Sequence, residues 1–365
     1  MIEKVQFRNF KAYRSLDLDL EPFTVLVGPN ASGKTTLLDG LRILPLLAEL
    51  NTSPAKDGLI PTSFRSFGSS QSTELRFHGR QGGRVTIKGE GPQSPNFVFV
   101  NVTVDDAARQ ESRRINAKLH EFLSTAALLR FESRRLADAS YSEEQVPTIA
   151  SDGMGLASVI AFLKLSHEDL FEEIESALKQ IVPSVRKIRI ERAAVEQSSM
   201  RTIALDEQTT RVSEKRRVWG NRVVLDMQGA KGVSADSVGE GTLMALGLLT
   251  VLLGPQKPRL LLLDDIELAL HPVAQGKLIE VLRAIQKNNP ELQIVATSHS
   301  PFILNYLKPE EIRMTFLAEN GFARCEKLTA HPEFEKWKDL MSPGEFWSTV
   351  GESWIGKEPK SAPHE

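Results

Sequence analysis

Gly28, Pro29, Asn30, Ala31, Ser32, Gly33, Lys34, Thr35 and Thr36 run consecutively between an apolar stretch, Phe23–Val27, and a helix-forming stretch that begins at Lys34. The G-x-x-x-x-G-K-T spacing lets the backbone turn tightly enough for successive N–H groups to face the β- and γ-phosphates of a nucleotide. They do so at a helix N-terminus, whose dipole favours negative charge. Lys34 adds a point charge, Thr35 offers a hydroxyl to Mg²⁺, and Thr36 is placed to reach an α-phosphate oxygen. A strand before the loop and a helix after it are the context such a site requires, and the segment predicts binding of a nucleoside triphosphate.

A second group of residues completes that chemistry. Leu260, Leu261, Leu262 and Leu263 lead into Asp264 and Asp265, the pattern of a buried parallel strand that ends in carboxylates beside a phosphate loop. Asp264 is positioned to hold Mg²⁺ directly or through water. Asp265 is positioned to orient and polarise the attacking water, with Glu267 nearby as a further catalytic candidate. Farther along, residues 294–298 form another apolar strand pattern, followed by His299, Ser300 and Pro301. His299 is a candidate for contact with the γ-phosphate or its water. A histidine after a strand is commonly structural, so this role rests on the order of the three motifs.

The elements that would position these groups alternate between strand and helix. Residues 2–7 and 16–20 read as strands before the phosphate loop, and the helix runs from Lys34 to about Leu50. Residues 51–72, rich in Ser, Pro and Gly, read as a long loop. Strand patterns follow at 73–77, 84–88 and 96–104, with Pro92 and Pro95 bounding the last. Residues 107–129 read as a charged helix, and helical patterns return at 156–165 and 168–181. Strands resume at 185–191, 201–205 and 222–227. This order predicts an α/β nucleotide-binding core in two sequence lobes, 1–104 and 185–330, separated by a mainly helical insertion, 105–184. A tail, 331–365, holds three of the four tryptophans and ends in a polar stretch expected to be mobile.

Composition narrows the class. The 365 residues are 41% apolar, enough for a sizeable core, and the formal charge of −2 gives no global footprint for nucleic acid. The single cysteine, Cys325, excludes an internal disulfide framework and suits a reducing cytoplasm. Residues 1–4 enter a strand pattern with no apolar leader. The uncharged runs 243–254 and 260–263 are too short to cross a bilayer and read as a buried helix and a buried strand. No membrane partner is expected.

The motif order resembles the ABC-type ATPases of the SMC, RecF and OLD group: phosphate loop, long insertion, Leu-rich Asp264-Asp265 strand with Leu270-His271-Pro272, then Ser298-His299-Ser300-Pro301. Within it, the chain looks like the compact AAA-type or predicted ATPases, many of which sit beside nuclease genes in bacterial defence operons. The opening Val5-Gln6-Phe7-Arg8-Asn9-Phe10-Lys11-Ala12-Tyr13 and the segments Asp152-Gly153-Met154-Gly155-Leu156-Ala157 and Ile181-Val182-Pro183 carry the same likeness. The resemblance implies an ABC-type P-loop core, ATP and Mg²⁺ as ligands, Lys34 and Thr35 as phosphate and Mg²⁺ residues, Asp264 as the second Mg²⁺ residue and His299 as the switch histidine. It further implies that the loop of Gly239, Glu240 and Gly241 touches the γ-phosphate bound to another subunit, so that nucleotide joins two chains.

Two positions depart from the family. Gly239 stands where a serine is usual, which removes a contact of roughly 1 kcal/mol. Asp265 stands where most members have glutamate, and a carboxylate set back by one methylene predicts slow hydrolysis. The resemblance implies a homodimer or higher even oligomer acting as an ATP-driven switch on a separate effector, a nuclease, in anti-phage or plasmid defence. Two other readings stay open: a RecF-like repair ATPase that clamps duplex DNA, and a hydrolysis-poor scaffold cemented by ATP. Basic clusters at Arg113-Arg114, Arg134-Arg135, 187–192 and 215–217 are either solvated faces or a sequence-independent path for duplex DNA. Transport is disfavoured, and the insertion lacks the sustained heptads of an SMC arm.

Overall fold

The computed structural model describes residues 1–50, 58–61, 73–79, 84–94, 97–105, 125–205 and 208–350. These form two compact units. The first gathers Met1–Leu128, Pro258–Glu267 and Leu282–Glu365, and the second gathers Leu129–Lys257 and Leu268–Val281.

The strands in chain order are β1 (Ile2–Phe10), β2 (Tyr13–Asp19), β3 (Phe23–Val27), β4 (Gly58–Pro61), β5 (Thr73–Gly79), β6 (Arg84–Ser94), β7 (Phe97–Asp105), β8 (Ala127–Leu129), β9 (Val185–Leu205), β10 (Gln208–Met227), β11 (Ala230–Ser234), β12 (Leu260–Leu263), β13 (Gln293–Ser298), β14 (Ile312–Leu317) and β15 (Ala323–Lys327). One six-stranded sheet has the order β2-β1-β5-β6-β7-β4, and its pairings are antiparallel. The central sheet has the order β15-β14-β3-β13-β12-β8, and the run from β14 through β3 and β13 to β12 is parallel. In the second unit, β11-β10-β9 make a third, antiparallel sheet.

Sequence dictates how the first two sheets meet. Along β1 and β2 every second or third side chain is apolar, and Val5, Phe7, Phe10, Tyr13, Leu16 and Leu18 turn into one core. The helix Lys34–Leu50 supplies Leu37, Leu38 and Leu41 to the same core, and β12 and β13 supply Leu260, Leu262 and Val295. Polar clamps fix the arrangement. Gln293, buried at the start of β13, accepts from the Ile2 N–H at 2.8 Å and donates to the Ile2 carbonyl at 2.7 Å. Arg313, fully buried on β14, donates to the Asp19 carbonyl at 2.9 Å. A buried amide or guanidinium is costly without such partners, so these pairings select one docking of the two sheets.

The apolar run 243–254 lies in the buried helix Glu240–Leu253, and 260–263 is a fully buried strand, both as read from the sequence. Other expectations are corrected. Residues 127–129, assigned to a helix by their charge pattern, form β8 at the sheet edge, while 106–124 lie outside the described residues. Within the expected loop 51–72, residues 58–61 form β4, and Pro92 falls inside β6 rather than at a boundary. The separate strands at 185–191, 201–205 and 222–227 are parts of one long hairpin, β9–β10, paired from Leu205 with Gln208 to Val185 with Met227. Residues 191–197 and 215–219 within it are largely exposed and so lack the alternation that marks a half-buried strand. The start of the expected tail folds as the helix Pro343–Val350, anchored by a hydrogen bond from Gly344 N–H to Asn305 Oδ1 at 2.8 Å; residues 351–365 lie outside the described residues.

Gly40 is the tightest point of the helix packing, since a Cβ there would stand 2.4 Å from Phe7 Cζ. Phe7 is itself fully buried and ringed by Phe10, Tyr13 and Phe77, so it has no room to move. Gly40→Ala would gain about 1 kcal/mol of helix propensity, but overpacking costs about 1–3 kcal/mol. The net prediction is a lower urea midpoint; an unchanged or raised midpoint would show that the Phe7 cluster yields.

Candidate nucleotide site

Strands β3, β13 and β12 are neighbours and parallel, so the residues that follow them leave the same edge of the central sheet. Register sets their level: Val27 pairs with Ser298, and Ala296 pairs with Leu263. Gly28, His299 and Asp264 therefore emerge together at the carboxyl ends of the strands, where open α/β sheets bind ligands.

The phosphate loop is shaped by close contacts. Gly28 has φ 153°, and a Cβ there would meet the Thr315 carbonyl oxygen at 2.1 Å. Gly33 has φ 101°, and a Cβ would stand 2.7 Å from Ala323 Cβ and 2.9 Å from the Tyr13 hydroxyl. Both positions admit glycine alone. Between them Ala31 sits in the left-handed region at φ 62°. Ser32, buried, shares a 2.6 Å hydrogen bond between its Oγ and Thr315 Oγ1, and Thr315 Oγ1 also donates to the Val27 carbonyl at 3.1 Å. Tyr13 donates to the Gly33 carbonyl at 3.2 Å, and its burial holds the phenol well above its ordinary pKa, in the protonated donor form. Sequence reasoning missed Thr315 and the role of Tyr13 at the loop; for Thr315 the available signal was a polar residue within an apolar strand.

Lys34 is buried, and its Nζ donates to the Gly28 and Pro29 carbonyls at 2.7 Å each, which holds the ammonium against the loop. Asn30 and Thr35 are exposed; Pro29 and Thr36 are partly so.

Asp264 accepts a 2.6 Å hydrogen bond from Thr297 Oγ1, and the same oxygen accepts the Asp265 N–H at 2.9 Å. Thr297, fully buried on β13, thus orients one acidic side chain and the backbone of the next; it was not among the residues singled out in the sequence. Asp265 adopts φ 55°, followed by Leu268 at 48° and Ala269 at 54°, a cluster of left-handed non-glycine residues of the kind found where local strain serves a site. The Asp265 carboxyl is raised above its ordinary pKa, first by partial exclusion of water and then by the charges of Glu267 and Asp264; His299 and Lys34 pull it back. His299 Nε2 stands 3.8 Å from Asp265 Oδ1.

Glu267 acts on the histidine segment. Its Oε1 accepts the His299 N–H at 2.9 Å, while its Oε2 is buried without a hydrogen-bond partner. Among the described residues no group of three or more His, Cys, Asp or Glu side chains has the geometry to hold a metal ion. The donor chemistry fits Mg²⁺ delivered with phosphate: Thr35 and Asp264 offer hard oxygens, and phosphate and water would supply the rest.

Gly239, Glu240 and Gly241 belong to the second unit, the phosphate loop and acidic residues to the first. Gly239 is the N-cap of the helix Glu240–Leu253 with φ −55° and ψ 136°, and a Cβ there would meet nothing within 4 Å. Gly241 differs: a Cβ would press on the Leu268 and Ala269 carbonyls at 2.9 Å. Glu240 lines a cleft of about 670 Å³ with Arg134, Arg222 and Val238.

These geometries predict opposite outcomes for neighbouring substitutions. Gly239→Ser fits the backbone and caps the helix, so thermal unfolding should be unchanged or raised by a few tenths of a kcal/mol, whereas Gly241→Ala should lose about 1–3 kcal/mol. Equal effects would refute the distinction. Glu267→Gln keeps the acceptor for His299 and changes only the terminal atom at the buried Oε2 position, which has no hydrogen-bond partner in either case, so the nucleotide-free protein should unfold at about the same temperature. Glu267→Ala should be destabilised by about 1–2 kcal/mol; if Gln is as damaging as Ala, the Glu267 clamp is misassigned.

The chain is 22% identical to the Septu protein PtuA of Bacillus mycoides over 334 residues, covering 87% of this chain and 40% of PtuA. It is 33% identical to the OLD nuclease of Thermus scotoductus over 78 residues, which are 21% of this chain and 14% of that one. The chain thus spans less than half the length of these curated relatives. The crystal structure of an SMC head bound to the C-winged helix domain of ScpA superposes with a TM-score of 0.58 at 13% identity, covering 92% of this chain and 99% of the head. That likeness shows an ABC-type ATPase fold of the SMC-head kind, the mixed α/β class expected from the motif order. The family described as "AAA domain, putative AbiEii toxin, Type IV TA system" matches residues 23–305, from the strand ahead of the phosphate loop to just beyond the His299 segment, and the chain belongs to it.

Proposed function

We propose that the chain binds ATP with Mg²⁺ at this sheet edge, hydrolyses it slowly, and works as a dimeric switch on a separate effector, a nuclease, in defence against phage or plasmids. One observation carries the reading: the phosphate loop, Asp264, Asp265 and His299 converge on the carboxyl ends of three adjacent parallel strands. The relatives named for Septu and OLD point to the defence setting.

In this account the amides of residues 28–36 and Lys34 hold the β- and γ-phosphates. Thr35 and Asp264 hold Mg²⁺, with Thr297 fixing the Asp264 carboxylate. Asp265 orients the attacking water, His299 senses the γ-phosphate, and Glu267 ties the histidine backbone to the acidic strand end. Slow turnover follows from Asp265, whose short side chain and left-handed backbone set its carboxylate back from the nucleophile. Gly239, Glu240 and Gly241 would meet the nucleotide of a second copy, and without a serine hydroxyl that contact is weakened by roughly 1 kcal/mol. The preference for adenine comes from the family. Among the described residues no helix is long and apolar enough to cross a membrane, and we assign the protein to the cytoplasm.

The test is Mg²⁺-ATP binding and turnover by the purified chain, with and without linear duplex DNA, using Lys34→Ala as the blank. Low turnover insensitive to DNA, with Mg²⁺-ATP binding lost in Lys34→Ala and Asp264→Ala while both remain folded, is the expected result. Unchanged binding in both variants would sink the site assignment. Turnover that rises several-fold with duplex DNA would replace the effector switch by the RecF-like repair reading.

A further inference from the structure

The hairpin β9–β10 carries more chain than the core requires. At its base Val185, Ile188, Val223, Val224 and Leu225 are buried, but from Glu191 to Gln197 and from Lys215 to Trp219 the ribbon is largely exposed. A two-stranded ribbon contributes little stability alone. It nonetheless holds Trp219, 64% exposed.

The register sorts the neighbours of this ring. Trp219 pairs with Ala194, Arg217 with Glu196, Lys215 with Ser198 and Asn221 with Arg192, so alternation puts Trp219, Arg217, Lys215 and Arg192 on one face. The Arg192 guanidinium lies 5.7 Å from the Trp219 ring centroid, a cation–π contact that steadies the indole. Ala194, opposite, is too small to cover it. Both faces carry an excess of cations, and the open ring is what distinguishes this one. The reverse face holds Lys187, Arg189, Arg216 and Arg222 with Asp226 and Glu191, and there Arg189 pairs with Asp226 and Arg222 with Glu191, each at 2.6 Å. On the tryptophan face three cations share one carboxylate, Glu196, which Lys215 approaches at 4.0 Å.

We infer that this face binds single-stranded nucleic acid, with Trp219 as the stacking platform for an unpaired base and Arg192, Lys215 and Arg217 as partners of the flanking phosphates. A steadied, open aromatic ring beside unbalanced cations matches the alternation of base and phosphate along a single strand. A duplex offers the phosphates but keeps its bases stacked inside. The inference uses none of the nucleotide-site residues and stands or falls apart from the proposed switch.

The experiment is fluorescence anisotropy of the full chain with labelled oligodeoxyuridylate, oligouridylate of the same length and a blunt duplex, titrated with salt. Binding of the single strands is expected, and whichever binds tighter identifies the sugar. Trp219→Ala should weaken binding about ten-fold or more and Trp219→Phe less. Lys215→Glu with Arg217→Glu should flatten the salt dependence. Mg²⁺-ATP affinity should be the parent's in every variant, which establishes that the fold is intact. Equal binding by Trp219→Ala and the parent, no binding of single strands, or a preference for the blunt duplex that survives Trp219→Ala would overturn the inference. So would a face that binds an acidic protein and no nucleic acid, because tryptophan and arginine also anchor protein interfaces.

Discussion

The register between β3, β13 and β12 is the constraint on which the rest of the site depends. Shifting β13 by one residue against either neighbour would invert every side chain on it. Thr297 would then lose Asp264, and Ser298 would no longer stand level with Val27. Both strands are covered on both faces, so their apolar runs alone do not distinguish one register from the next. The buried polar partners do: Gln293 pairs with the Ile2 backbone and Thr297 with Asp264 only in the observed register.

Around that frame, conformational freedom is spent where chemistry needs it. Gly28 and Gly33 let the loop approach Thr315 and Tyr13 more closely than any side chain allows, and hydroxyl donors from those residues pin it at Val27 and Gly33. The turn after β12 holds three left-handed non-glycine residues within five positions, each costing of order 1 kcal/mol. Such strain persists only where neighbours hold the backbone. Here the Asp265 and Ile266 amides are bonded to Thr297, and Gly241 packs on the Leu268 and Ala269 carbonyls. The two glycines near the start of the helix Glu240–Leu253 therefore differ. Gly241 serves close packing, whereas Gly239 has open space beside it.

Much of this was legible in the sequence because the strongest signals are local. A glycine-lysine-threonine loop, a run of leucines ending in aspartates and an apolar strand ending in histidine each declare themselves within a few residues, and their order gave the fold. What was not legible depends on long-range pairing. Thr297 and Thr315 gain their roles from neighbouring strands that lie far away in sequence. Glu267 was identifiable as a carboxylate near the site, but not as the acceptor for His299. The hairpin β9–β10 reads as separate pieces because residues 191–197 and 215–219 are largely exposed and carry no regular alternation. Trp219 and Arg192 come together only through the register of that hairpin.

The central claim is that one sheet edge holds nucleotide and metal together. A structure of the full chain with Mg²⁺ and a non-hydrolysable ATP analogue tests it most directly. The expected result is phosphates cradled by the amides of residues 28–36, and Mg²⁺ held by Thr35 Oγ1 and, directly or through one water, by Asp264. A nucleotide bound away from that loop, or a metal that engages neither Thr35 nor Asp264, would contradict it.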